Sequence, residues 1–314
     1  MLVTSYARLH MGFYRFLDLN LAYGSIGVSL EHPRFQAEVY KHDGVDVRGG
    51  DLEVKKVVES VVGKLGVSGA KVVVHEQIPF HVGLGATTQT SLAIAYALNE
   101  LYGLGYTVEQ LAAKLGRGFN SGVGLWTFKY GGFVVDSGRV FDGILRPVSS
   151  VEDLPKLLVR LVFPSNWIFV LAMPKGFKGK DEVSEVKSLE KPRALPQELQ
   201  CELYRLLVSK LLPSIALEDL KGFGEALTRI QEIVGDYFAS EQGGRFCCEE
   251  TFEAIKIMKK LGAAGVGQSS WGPTCYGVVD DHNKALKIVY ELAGKLSDVD
   301  VVVSSARNAG FEFM

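Results

Sequence analysis

Between Pro79 and Leu98 the chain runs PFHVGLGATTQTSLAIAYAL, and no other stretch constrains the fold as tightly. A short turn spaced by Gly83 and Gly85, with Leu84 between them and Ala86, Thr87, Thr88 and Gln89 behind, opens directly into an apolar-periodic helix. Glycine lets backbone N–H groups converge where a side chain would block them. A helix that starts there turns its unpaired first-turn donors, and the positive end of its dipole, toward the turn. Such a turn is an anion cradle. Its hydroxyls come without a carboxylate, which suits a ligand that is already strongly negative. The same residues would also make an ordinary strand-to-helix connection with an N-cap. The turn is not GxxxxGK[ST], because no lysine follows the second glycine, and it is not GxGxxG.

With 314 residues there is room for one large domain or two ordinary ones. A formal net charge of −2 provides no basic field, so neither nucleic acid nor an anionic membrane is an expected partner, and any phosphate site must be local. No apolar run approaches the roughly 18 residues of a spanning helix. The opening MLVTSYARLHMGF does not read as a signal peptide, and a cytoplasmic enzyme is expected. Cys201, Cys247, Cys248 and Cys275 lack CxxC spacing and suggest neither a zinc site nor a redox pair; Cys247 and Cys248 read as small residues flanking a helix. His32, His42 and His282 read as surface or loop residues, whereas His10 and His81 fall inside informative segments.

The pattern of runs predicts an α+β fold with a mixed sheet. Strands are expected at 35–40, 71–76 and 132–136, and helices at 52–65, 88–101 and 107–115. WIFVLAM, residues 167–173, is a continuous apolar run that reads as a buried strand opening a second unit. A boundary near residue 160 follows, separating an N-terminal domain with the phosphate loop (1–160) from a C-terminal domain (161–314). In the second, a charged and mobile loop at 175–196 precedes helices at 198–212, 223–234 and 251–261. Strands at 275–279 and 299–304 then frame a helix at 283–295, a layout that suits a ferredoxin-like half.

Two further glycine constellations stand out. The first, Ala263 to Thr274, reads as a loop joining a helix to a strand. Its small residues, Gly267 among them, allow close backbone approach, Gln268, Ser269 and Ser270 offer polar contacts, and Trp271 supplies a rigid apolar face. The second runs GRGFNSGVGLWTFKYGG from Gly116 to Gly132 and contains Arg117, Ser121 and Gly124. Asp136 and Asp142, flanked by Gly138 and Gly143, read as turn residues. Val278-Val279-Asp280-Asp281 looks like the acidic start of a phosphoribosyl-pyrophosphate signature. It leads into a helix rather than a Thr/Gly loop, so Asp281 or its neighbour reads as an N-cap.

The Gly83–Gln89 turn resembles the second motif of the GHMP small-molecule kinase superfamily, and Ala263–Thr274 lies where that superfamily carries its third. In many of those kinases a Ser-Gly-Val/Ile-Asp pattern supplies the base for the substrate hydroxyl. This chain has Gly124 at that Asp, a loss that would remove about 10²–10⁴ in rate from a kinase. The β-ribofuranosylaminobenzene 5′-phosphate synthase family keeps the fold and drops that Asp. The chain resembles it from Ala7-Arg8-Leu9-His10-Met11-Gly12 and Gly24-Ser25-Ile26-Gly27-Val28 through Gly131–Asp136 to Gly265–Thr274 and Tyr276-Gly277. It departs at Ala86-Thr87, where Ser-Gly is common, and at Ala22-Tyr23, which lacks an Arg-Asp-Gly-Gly approach.

The resemblance implies a two-domain GHMP-kinase-like fold and a reaction in methanopterin synthesis. Phosphoribosyl pyrophosphate and 4-aminobenzoate or 4-hydroxybenzoate would be joined with loss of pyrophosphate and CO2. It implies Mg2+ as cofactor, with no ligands identifiable, and the residues 83–89 as the pyrophosphate site. Arg8 beside His10, and Arg117, are candidates to hold the carboxylate; Gln268, Ser269, Ser270 and Trp271 would close over the sugar or ring. An ATP-dependent GHMP kinase and a silent ligand-binding protein are the rival readings, and the oligomeric state is open, a homodimer included.

Overall fold

The computed structural model describes residues 1–177, 179 and 187–314. A long hairpin forms its spine: β1 (Leu2–Asp18) and β2 (Leu21–Tyr40) pair antiparallel through a two-residue turn, Leu19 and Asn20, both with positive φ. Neither strand alternates cleanly, because both are buried along most of their length, which is why the sequence revealed only the end of β2. β1 shifts register between Tyr6 and Arg8 and twice more between His10 and Arg15. Such bulges re-aim side chains next to functional sites, and Arg8 and His10 flank two of these three shifts.

Around the hairpin the first sheet takes in β3 (Gly44–Arg48), β4 (Gly69–Glu76), β5 (Phe133–Asp136), β6 (Arg139–Val140) and β7 (Leu157–Leu161). Among the described residues only β3 and β4 pair parallel in this sheet, so it is mixed as expected. Helices α1 (Leu52–Leu65), α2 (Ala86–Tyr102), α3 (Val108–Lys114) and α4 (Val123–Tyr130) accompany it. Local chemistry sets the ends of two of them. Asp51 caps α1 and Gly66 closes it in the left-handed region, while Thr107 and Gln110 form a capping box on α3. The α4 helix, embedded in the second glycine constellation, went unread in the sequence.

A second sheet is built from β8 (Ile168–Pro174), β9 (Gly265–Gln268), β10 (Cys275–Val279) and β11 (Val299–Ser305), all antiparallel in the order β11-β8-β10-β9. That order is the expected ferredoxin-like one. β8 is apolar throughout because each face has its own core. Ile168, Val170 and Ala172 pack under helices Glu249–Lys260 and His282–Lys295, while Phe169 and Leu171 join the main core. Residues 265–268, expected in a loop, are strand β9. The helix expected at 198–212 is Gln197–Leu206 running through a π turn at Leu207–Leu211 into Leu212–Ala216. The chain's last strand, β12 (Glu312–Phe313), returns to pair with β1 in the first sheet. Asp281 caps its helix as expected, its carboxylate accepting from Lys284 N–H. The mobile loop expected at 175–196 falls partly outside the described residues.

Candidate active site

The cradle forms where α2 begins. Gly83 and Gly85 both take positive φ, +91° and +79°, and Gly85 is the N-cap of α2 with no side chain capping it and no carboxylate in its first turn. The first intrahelical bond runs from Gln89 N–H to the Gly85 carbonyl, so the amides of Ala86, Thr87 and Thr88 precede the ladder. Arg8 lies along the turn. Its Nη1 donates to the Gly83 carbonyl at 2.7 Å, its backbone N–H donates to the Leu84 carbonyl at 3.1 Å, and its guanidinium sits where a Cβ on Gly85 would project. A positive side chain and a helix N-terminus thus meet at one turn.

The loop after β9 clasps this turn backbone to backbone. A Cβ on Gly272 would lie 2.1 Å from the Val82 carbonyl carbon, and one on Gly83 would lie 2.2 Å from the Ser269 carbonyl oxygen. Only glycine permits that approach. Ser269 Oγ staples the two parts to β1, donating to the Gly83 carbonyl at 2.7 Å and accepting from His10 N–H at 3.0 Å. Thr274 N–H donates to the Val82 carbonyl at 3.2 Å.

Three adjoining hollows share the corner formed by Ser270 and Trp271. The cradle mouth, about 540 Å³, is walled by Arg8, Gly83, Gly85, Ala86, Thr87 and Thr88. A central hollow of about 730 Å³ has Arg8, His10, Arg117 and Ser121 on its wall, with Phe13 and Phe119 as apolar faces. A third, about 430 Å³, is lined by Phe13, Val234, Phe238 and Phe246 together with Gln268. The expected site residues from β1, α2, the turn before α4 and the β9 loop therefore converge, although they lie far apart in sequence.

Four of them do not reach the hollows. Leu84 is fully buried in the core. Gln89, expected at the phosphate, is buried beneath it and donates from Nε2 to the Gly124 carbonyl at 2.9 Å, joining α2 to α4. Gly267 sits in β9, where a Cβ would strike the Gln231 side chain at 2.6 Å, and Ser269 is the buried staple just described. Their work is to hold the site's shape. Gln268 borders the third hollow with its amide committed: Oε1 accepts from Cys247 N–H at 2.8 Å and Nε2 donates to the Ser270 carbonyl at 3.0 Å. His10 is buried, and burial followed by the Arg8 charge pushes its imidazole down to about 3. It is neutral at neutral pH, with Nδ1 accepting from Gly12 N–H at 3.3 Å.

The turn reading of Asp136 is corrected. Asp136 ends β5, has no exposed surface, and its carboxylate accepts from the N–H groups of Gly122 and Gly138, both at 2.8 Å, from Ser25 N–H at 3.2 Å, and from the Ser25 hydroxyl. Burial pushes it up to about 6 even though those donors pull it down. Asp142 is an exposed residue paired with Arg146 at 2.7 Å.

The expected magnesium ion finds no protein cage. Among the described residues no group of three His, Cys, Asp or Glu side chains converges, and no carboxylate lines any of the three hollows. The donor set of the described residues does not form a cage for a metal held by the protein. No helix among the described residues is long and apolar enough to cross a membrane.

These two sheets and the glycine clasp between them define a GHMP-type protein: residues 53–132 match the GHMP kinases N terminal domain and residues 211–298 the GHMP kinases C terminal domain. The homoserine kinase of Cytophaga hutchinsonii has the same fold, with a TM-score of 0.66 over 100% of this chain and 97% of that one at 17% identity. Sequence similarity goes further. The chain is 33% identical to the β-ribofuranosylphenol 5′-phosphate synthase of Archaeoglobus fulgidus over 98% of its length and 97% of that protein. It is 28% identical to the synthase of the same name from Methanothermobacter thermautotrophicus, over 99% and 97%. The chain belongs to this family of GHMP-fold synthases and is an enzyme.

Proposed function

We propose that the enzyme transfers the ribosyl 5-phosphate group of phosphoribosyl pyrophosphate to the carboxyl-bearing carbon of 4-hydroxybenzoate, releasing pyrophosphate and CO2. The observation that carries this reading is the charge of the walls: among the described residues the cradle and central hollow carry Arg8 and Arg117 and no carboxylate, beside the aromatic faces of Phe13 and Trp271. A donor bearing a phosphate and a diphosphate, and an acidic aromatic acceptor, match that lining in charge and shape. The choice of the hydroxyl over the amino acceptor rests on the product in the relatives' name, a ribofuranosylphenol.

The α2 amides and Arg8 receive the departing pyrophosphate, offsetting charge that grows as the sugar carbon becomes cationic. An α-configured donor giving a β product calls for one inverting displacement, with the ring opposite the leaving group. The central hollow, continuous with the cradle through Arg8 and Thr88, gives the ring that place, and holding both reactants in line supplies a large share of the acceleration. The carboxylate turns toward Arg117 until it leaves.

The test is stoichiometry. Pyrophosphate release from phosphoribosyl pyrophosphate should depend on 4-hydroxybenzoate and match the C-riboside formed, one for one. Phosphate transfer from ATP to an alcohol, without pyrophosphate release, would establish the kinase reading instead.

A further inference from the structure

A chain of hydrogen bonds runs from the central hollow to the buried carboxylate of Asp136. Ser121 stands on the hollow's wall, its Oγ 2.7 Å from Ser25 Oγ, and Ser25 Oγ in turn donates to Asp136. A serine hydroxyl has one proton. Since Ser25 directs its proton at the carboxylate, it must accept the proton of Ser121. Ser121 Oγ also accepts from Val123 N–H at 3.0 Å, which leaves one lone pair. Gly122 makes the arrangement possible, because a Cβ there would meet Asp136 Cβ at 3.1 Å and the Trp126 ring at 2.9 Å. A carboxylate that only tied β5 to α4 would need the three backbone donors; the two serines add a path to the site.

We infer that Asp136, acting through Ser25 and Ser121, takes up the proton of the acceptor's ring hydroxyl while the new carbon–carbon bond forms, and later returns it. The inference rests on the synthase reading and deepens it. In the forward step the acceptor's O–H bond breaks and its proton passes to Ser121 Oγ. The Ser121 proton moves to Ser25, and that of Ser25 to Asp136. The electron pair left on the ring oxygen flows through the ring to the carboxyl-bearing carbon, which bonds to the sugar carbon as pyrophosphate departs with its own pair. When CO2 leaves, the pair of the broken carbon–carbon bond restores the aromatic ring and charge returns to the oxygen, which takes its proton back along the same path. No proton is consumed.

The carboxyl, held near pH 6 by burial, is ionised at neutral pH and still close enough to accept. Tyr14 and Arg15 of β1 and Arg139 after β5 are the titratable or charged groups facing this end of the strand. Tyr14 donates to the Asp136 backbone carbonyl at 2.9 Å, Arg15 to the Ser137 carbonyl at 3.4 Å, and Arg139 to the Phe119 and Arg146 carbonyls, and in these bonds each serves a backbone oxygen rather than the carboxylate.

A ring amine reaches the same activated state with its own lone pair, before any proton leaves. This gives a discriminating test. In Ser121→Ala, kcat with 4-hydroxybenzoate should fall about 100-fold or more, the low end of a general-base contribution. With 4-aminobenzoate it should change by less than about 5-fold, as should the KM for the donor. Ser121→Thr should recover most of the lost rate, and Ser25→Ala, which leaves Ser121 on the wall, should repeat the pattern. In the wild type, kcat/KM should decline below about pH 6 with the hydroxyl acceptor alone. Equal losses with both acceptors in folded variants, while the wild type makes the C-riboside, would overturn the relay and leave the synthase reading intact. A wild-type enzyme that makes the C-riboside from neither acceptor overturns both.

Discussion

Gly83→Ala places one methyl group in the clasp, and its cost can be worked from the structure. The new Cβ would sit 2.2 Å from the Ser269 carbonyl oxygen and 3.0 Å from Gly272 Cα, so the β9 loop or the cradle must yield by nearly an ångström. Positive φ adds strain of roughly 1–2 kcal/mol for a non-glycine residue, and forced repacking adds about 1–3. The sum is about 2–5 kcal/mol. Gly66→Ala is the matched control: its φ is +70°, but a Cβ there meets nothing within 4 Å, so only the strain remains. Urea unfolding of the two variants gives the difference, which is the steric part. In the folded fraction of Gly83→Ala, a shift of about 1 Å at the phosphate turn should lower turnover on the order of 10²-fold. Calorimetry with inorganic pyrophosphate should show weakened binding for Gly83→Ala and unchanged binding for Gly66→Ala. Equal stability losses together with unimpaired pyrophosphate binding would refute both the clasp and its role.

Two other changes separate support from contact. Gln89→Ala removes a buried bond to Gly124 and should cost about 1–3 kcal/mol in chemical denaturation while the donor KM of the folded enzyme stays put. His10 has its folded pKa pushed down to about 3 from an ordinary 6.5, so the unfolded chain binds more protons between those values and stability is lost as pH falls through that window. The loss is on the order of 4 kcal/mol, and His10→Gln should flatten this acid limb when unfolding is followed from pH 7 to 3.

Much of the candidate site was legible because its backbone geometry depends on glycine. Left-handed turns at Gly83 and Gly85 and backbone contact at Gly272 exclude side chains, so residue type alone marks them. Apolar periodicity announced α1 and α3, and the uninterrupted apolar run announced β8. The hairpin of β1 and β2 stayed hidden because strands covered on both faces lose the period of two, and their pairing is fixed by bulges and a turn of Leu19 and Asn20 that no glycine signals. Gln89 lies away from the hollows for a geometric reason: it shares the cradle's sequence, but the helix turns its side chain inward. Asp136 looked like a turn residue beside Gly138, and its partner Ser25 stands on another strand of the sheet. Only tertiary structure could join them.

The central claim is tested most directly with 4-hydroxybenzoate labelled at the carboxyl carbon. Given phosphoribosyl pyrophosphate, the enzyme should release the label as CO2 in step with pyrophosphate, and ATP should not substitute for the donor. Label retained with phosphoribosyl pyrophosphate present, with ADP formed from ATP and an alcohol acceptor, would contradict the account.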